Sequence, residues 1–218
     1  TNSWINNGTF NPGTSTVIFT HSAASVAGVT NFYHVTIATG PDITMTSNNI
    51  IRIGGTMTNN GIWRARFLVN TVEYNGTNQT VLNPNGGSGG YYHLNLSNSG
   101  TKAVSENLTV AGNFTTSGTA TFNGGTSLTH SFLGNWVINS TAATPFLFTT
   151  ASTINFNTPG TPAATSLGGT SAASIGFNNV NLNNTGGFSA GLNFDITGIF
   201  TVAAGVILQT GIILTFST

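Results

Sequence analysis

Three stretches of the chain repeat one pattern: Phe32-Tyr33-His34-Val35-Thr36-Ile37, Tyr91-Tyr92-His93-Leu94-Asn95-Leu96 and Phe177-Asn178-Asn179-Val180-Asn181-Leu182. Each is preceded by a strand-like segment: Thr16-Val17-Ile18-Phe19, Thr71-Val72-Glu73-Tyr74 and Thr153-Ile154-Asn155-Phe156. Each is also followed by a third segment. Counting from Leu96, steps of 12, 14, 16 and 18 reach Leu108, Val110, Gly112 and Phe114, and from Leu182 they reach Phe194, Ile196, Gly198 and Phe200. After Ile37 the same residue types arrive two positions later, at Ile51, Ile53, Gly55 and Met57. One ordered trio written three times restricts the chain to architectures in which like units stack.

Within the trios apolar residues alternate with Thr, Asn, Ser or a charge, which is the period-2 mark of strands with one buried face. Between them lie turn-forming clusters such as Asn59-Asn60-Gly61 and Asn183-Asn184-Thr185-Gly186-Gly187. The expected fold is all-β. A sandwich does not require three copies of one ordered pattern, whereas a single-stranded parallel β-solenoid does. The 22 residues from Phe114 to its counterpart Trp136 suit one coil, so the 218 residues make about ten irregular coils. The chain reads as one continuous segment, 1–218, with repeat units near 1–58, 59–115 and 116–201 and a partial coil at 202–218. In this alignment Val35/Leu94/Val180 and Ile37/Leu96/Leu182 are core columns, and His34/His93/Asn179 form an outward ladder.

Charged residues make up only 4% of the chain and the formal net charge is zero, so Thr, Asn and Ser must keep the surface polar. Arg52, Arg64, Arg66 and Lys102 are too few for a grip on nucleic acid or for a polybasic membrane anchor. Without cysteine there are no disulfides to staple the fold. No apolar run is long enough to span a bilayer. A neutral, Thr/Asn-rich β protein of this kind reads as extracellular or cell-surface. If Thr218 is joined on paper to Thr1, Phe216 falls six residues before Trp4, as Leu108 falls six before Phe114. That phase leads to the expectation of one period in a longer tandem rod.

The order Trp-x-Asn-Asn-Gly-Thr-Phe-Asn-x-Gly-Thr-x-Thr-Val-x-Phe at Trp4 to Phe19, then Phe-Tyr-x-Val-Thr-Ile at Phe32 to Ile37, then Leu-Thr-Val-x-Gly-x-Phe-Thr at Leu108 to Thr115, carries a resemblance. It resembles the β-solenoid repeats of large secreted surface proteins of the Bacteroidota. The resemblance implies long adhesins exported by type IX secretion, some of them serving gliding motility. The C-terminal sorting domain of such substrates is absent from this sequence.

Catalysis on a β-helix needs carboxylates gathered in one groove, and this chain has only Asp42, Glu73, Glu106 and Asp195, dispersed along it. No enzyme activity and no cofactor are expected. On the alignment Asp195 shares a column with Arg52 and Thr109. His34 and His93 share one too, but Asn179 in the third copy does not substitute as a transition-metal ligand, so an outward polar ladder is the reading. His21 and His130 stand alone in polar turns. The densest chemistry is Trp63-Arg64-Ala65-Arg66-Phe67, where alternation places Trp63, Ala65 and Phe67 inward and both guanidinium groups outward. Trp63, Arg64 and Arg66, with Glu73 nearby, are the candidate contacts for an acidic glycan or a neighbouring protein. Trp4 and Trp136 are assigned to the core.

The function expected is a structural, adhesive rod that spaces binding regions, with neighbouring copies of the same fibre and surface glycans as partners. The alternative is a carbohydrate-binding or carbohydrate-cleaving β-helix. Ice binding is a third reading, disfavoured because the Thr-x-Thr pairs fall at different phases of the repeat.

Overall fold

The computed structural model describes residues 3–148, 150–157, 165–203, 208–210 and 213–217. Among them are 27 short strands and no helix, and all strand pairs are parallel. The chain winds as a β-solenoid of about nine turns, which at ~4.8 Å per strand is a rod about 40 Å long.

Three faces recur in fixed order along the chain. The first runs unbroken through nine strands, from the 29–32 half of Ala23–Phe32 through Ile50–Ile53, Thr71–Tyr74, His93–Leu96, Phe114–Thr116, Trp136–Ile138, Thr165–Gly169 and Phe188–Ala190 to Leu208–Thr210. The second is made of three successive sheets. These are Thr16–Phe19, His34–Ile37 and Met57–Asn59; then Gln79–Thr80, Ser99–Ala103, Thr119–Asn123 and Phe146–Leu147; then Ile175–Phe177, Phe194–Ile196 and Leu214–Phe216. The third begins with Trp4–Asn6, the other half of Ala23–Phe32, Asp42–Met45 and Ile62–Arg64. It resumes, after a bridge between Tyr91 and Val110, with Thr109–Val110, Thr129–Phe132, Thr153–Phe156, Asn179–Leu182 and Phe200–Val202.

Period-2 alternation forms these strands because one side chain in two points into the coil. His34–Ile37, Thr71–Tyr74, His93–Leu96 and Asn179–Leu182 each alternate half-buried and buried residues. Each trio occupies one face on successive coils, in one register. Thr16 pairs with His34 and Val35 with Met57; Thr71 pairs with His93 and Leu94 with Phe114; Thr153 pairs with Asn179 and Val180 with Phe200. Phe114 also lies opposite Trp136, the expected 22-residue coil.

The three trios do not share a face. His34 lies on the second, His93 on the first and Asn179 on the third. Coil length explains the rotation: stacked partners are 18 residues apart at Thr16 and His34, 22 at Thr71 and His93, and 31 at Trp136 and Leu167. The 59 residues from His34 to His93 therefore do not close a whole number of coils. Val35, Leu94, Val180, Ile37, Leu96 and Leu182 are all buried, but on three faces, two columns to a face, rather than in two shared columns. Asp195, Arg52 and Thr109 are likewise divided among three faces.

Candidate functional site

The ring of His34 accepts at Nδ1 from the backbone N–H of Thr56 (3.0 Å), and that of His93 from Asn113 N–H (2.8 Å). In the third copy Asn179 Oδ1 accepts from Ile199 N–H (2.8 Å). Each donor directly follows a repeat glycine: Gly55, Gly112 or Gly198. A Cβ on Gly55 or Gly112 would sit 2.6 Å from the imidazole Nδ1, and one on Gly198 would collide with the Asn179 amide oxygen. The His/His/Asn position and the glycine are two halves of one lock that fastens each trio to the next coil. Because they lie on different faces, His34, His93 and Asn179 do not stack as a ladder. Imidazole and carboxamide interchange because both place an acceptor at the same reach.

The lock leads to a contrast between two variants. His93→Asn should cost less than ~1 kcal/mol, since Asn179 already makes this bond. Gly112→Ala should cost about 1–3 kcal/mol by pushing the ring off a partly buried N–H. Urea unfolding of both variants checks the order, and an equal cost for the two would sink the lock.

Asparagine does the same work at many corners. Asn78 accepts from Thr101 N–H (2.8 Å), Asn107 from Thr129 N–H (2.9 Å) and Asn135 from Ser166 N–H (2.9 Å). His130 belongs with them and not in a polar turn. It is fully buried in Thr129–Phe132, accepting from Leu108 N–H (3.0 Å) and donating to Gly124 C=O (2.8 Å). Burial lowers its pKa, partly offset by the Gly124 bond.

The core column of the second face holds two polar residues. Val17, Val35 and Met57 are followed by Gln79, Lys102, Phe122 and Phe146. Lys102 is wholly buried, and its ammonium donates to Gly76 C=O, Thr77 C=O (3.0 Å), Gln79 Oε1 (3.0 Å) and Ser99 C=O (3.3 Å). The Gln79 amide donates in turn to Ile53 and Gly55 C=O, each at 2.7 Å. Beside this plug no ladder joins Met57–Asn59 to Gln79–Thr80. An open groove of about 590 Å³ lies there, lined by Thr56, Thr58, Asn78, Thr80 and Thr101 among others. It carries hydroxyl and amide groups and no ionisable side chain.

The Arg cluster is reorganised relative to expectation. Trp63 is buried, with its ring 5.6 Å from Tyr91. Arg64 forms a bidentate pair with Asp42, both bonds at 2.7 Å, and that guanidinium bond holds the Asp42 carboxyl below its ordinary pKa. Glu73 pairs with neither Arg64 nor Arg66. On the first face it accepts from Arg52 (2.8 Å) and from Ser97 (2.6 Å), because Arg52 and Glu73 are register partners one coil apart. Ala65 is buried as expected, but Phe67 is 64% exposed rather than inward, because the strand ends at Arg64 and the chain turns, with Phe67 N–H donating back to Arg64 C=O (3.5 Å). Phe67, Arg66, Arg64, Gly87 and Ser88 surround an open pocket of about 250 Å³. Sequence reasoning found its two arginines but not the loop that forms the opposite wall.

Among the described residues no three His, Cys, Asp or Glu side chains gather where they could share a metal ion. Trp136 is fully buried and Trp4 half-buried, both packed on the core. Fold and repeat together define a parallel β-solenoid repeat protein. Compared with protein-family models, curated proteins and solved structures, the chain matches none of them.

Proposed function

We propose that the chain is a structural, adhesive rod segment of a large extracellular or cell-surface fibre, spacing binding regions and packing against neighbouring copies or segments of that fibre. The observation that carries this reading is the nine-strand parallel first face, which gives load a continuous path of backbone hydrogen bonds along the rod. The outermost coils support it. Among the described residues Thr16–Phe19 pairs on one side only, as does Leu214–Phe216. Val17 and Phe19 are only half-buried there although their register partners Val35 and Ile37 are buried, and Phe216 is 60% exposed although its partner Ile196 is buried, so the core column ends in apolar surface that another parallel coil would cover. Strand direction makes such stacking head-to-tail, a contact that extends rather than closes.

The absence of enzymatic activity is part of the proposal. The four acids are held apart: Asp42 by Arg64, Glu73 by Arg52 and Ser97, Glu106 by Asn83 N–H, and Asp195 by Ser174. Secretion by the type IX route, a place in gliding motility, and a Bacteroidota surface origin rest on the motif resemblance.

The test is a tandem of two copies of the 218 residues joined without a linker. X-ray scattering should give one stiff particle about twice as long as the single copy, roughly 80 Å against 40 Å, with a raised melting temperature. Two lobes tumbling independently would overturn the rod.

A further inference from the structure

We infer that the pocket between Arg66, Phe67 and the loop at Gly87 and Ser88 is a binding site for an acidic sugar, one hexuronate unit of a polysaccharide chain. The inference stands apart from the rod, since a rod needs no such pocket.

Charge is the first argument. The chain carries four basic and four acidic residues, and the structure accounts for nearly all of them internally. Arg52 is paired with Glu73 and Arg64 with Asp42, while Lys102 is ringed by oxygens. Glu106 and Asp195 accept from Asn83 N–H and the Ser174 hydroxyl. Among the described residues Arg66 alone of these charged side chains has no ion pair or hydrogen bond. In a chain that spends so few charges, an unpartnered guanidinium at a pocket mouth points to an anion from outside. A guanidinium fork matches a carboxylate with two parallel hydrogen bonds.

The walls give the second argument, because they are set before any ligand arrives. Asp42 fixes Arg64, and a Cβ on Gly86 would lie 2.6 Å from Arg64 Cγ, so this loop rests directly on the arginine stem. Asn85 Oδ1 accepts from Trp63 N–H (3.0 Å), and Gly86 N–H donates to Trp63 C=O (2.9 Å). Gly89 N–H closes the loop on Gly86 C=O (3.1 Å). A fixed wall lowers the ordering cost of binding.

Shape and chemistry select a sugar. Phe67 offers an exposed ring beside the cation, a flat apolar platform for the C–H face of a pyranose, and Ser88 also lines the pocket, adding a hydroxyl-bearing side chain to its wall. A volume of about 250 Å³ lies just under the ~300 Å³ at which drug-sized pockets begin, so it holds one residue of a chain whose ends run out through the open mouth. An extended acidic peptide fits less well. The Ile62–Arg64 edge it would pair with is already covered at Trp63 by Asn85 and Gly86.

The test is calorimetric or NMR titration of the intact chain with a galacturonate trisaccharide, beside its neutral galactose counterpart and an acidic peptide. Binding of the galacturonate trimer is expected, weakened at least about tenfold by Arg66→Gln, weakened again by Phe67→Ala, and reduced by about 0.5 M salt. Both side chains are on the surface, so circular dichroism and melting should stay those of the parent. Affinity for the acidic trimer no greater than for the neutral one overturns the site. So does undiminished binding by Arg66→Gln, or an acidic peptide bound through Arg66 in preference to the sugar.

Discussion

Trp136→Ala is expected to cost about 3–5 kcal/mol, enough to unfold much of a population held at ordinary marginal stability. Trp136 is fully buried on the first face, with ring centroids of Phe132 at 4.6 Å, Phe114 at 5.0 Å, Phe146 at 5.0 Å, Phe156 at 5.3 Å and Phe177 at 5.7 Å. These rings come from all three faces and from coils on both sides. In a solenoid each coil is stabilised by its two neighbours, so one truncation here weakens two interfaces. Trp136→Phe separates packing from polarity. It keeps most of the ring and deletes an indole N–H that is buried without a hydrogen-bond partner, so its cost should be less than half that of the alanine variant. Phe67→Ala, at an exposed ring, should change stability by less than ~0.5 kcal/mol. Urea unfolding of the three variants reads the order directly, and equal costs for alanine and phenylalanine at Trp136 would sink the packing account.

How much of this was legible in the sequence depends on what kind of neighbour was involved. Alternation within a strand is local, so the buried Val35, Leu94 and Val180 and the Phe114–Trp136 pairing were readable from residue order alone. Which strand lies above which is set by coil length, and that length varies with loops whose geometry the sequence does not display. A trio aligned in sequence to within a two-residue insertion thus turned by a third of a coil in space. The same uncertainty hid the Arg52–Glu73 and Arg64–Asp42 pairs, 21 and 22 residues apart. It also hid the reason for the repeat glycine, which makes sense only beside the His or Asn of the coil before. Lys102 could have been found. In Ser99–Ala103 it has the inward parity of buried Val104, two positions on, and a lysine on the core side of an alternating strand signals a buried charge.

That lysine yields the last prediction, because its chemistry makes stability depend on pH in an uncommon direction. Burial pulls the Lys102 amine from an ordinary 10.5 down to about 8. Between those values the unfolded chain binds more protons than the folded one, so stability rises with pH, and the penalty for burying the ammonium, present in full below pH 8, is progressively relieved. At 1.36 kcal/mol per pH unit the gain is about 3 kcal/mol at most. The buried hydroxyls of Tyr74 and Tyr91, bonded to each other at 2.9 Å, oppose it from above. Desolvation raises Tyr74 from 10.0 to about 12 and Tyr91 well above its ordinary value, so stability falls once the unfolded tyrosines ionise beyond pH 10. Stability measured by urea at fixed temperature should therefore climb from pH 8, peak near pH 10 and then drop. Lys102→Met removes the titrating group and should flatten the climb while leaving the alkaline drop in place. Its absolute stability at pH 7 is set by two opposed terms, relief of the buried charge against carbonyl oxygens at Gly76, Thr77 and Ser99 left without their donor. The slope is the cleaner readout, since the amine dominates it between pH 8 and about 9, before the unfolded tyrosines begin to ionise. A parent protein whose stability is level or falling across that interval would mean that the four oxygens hold the ammonium strongly enough to cancel the cost of burying it.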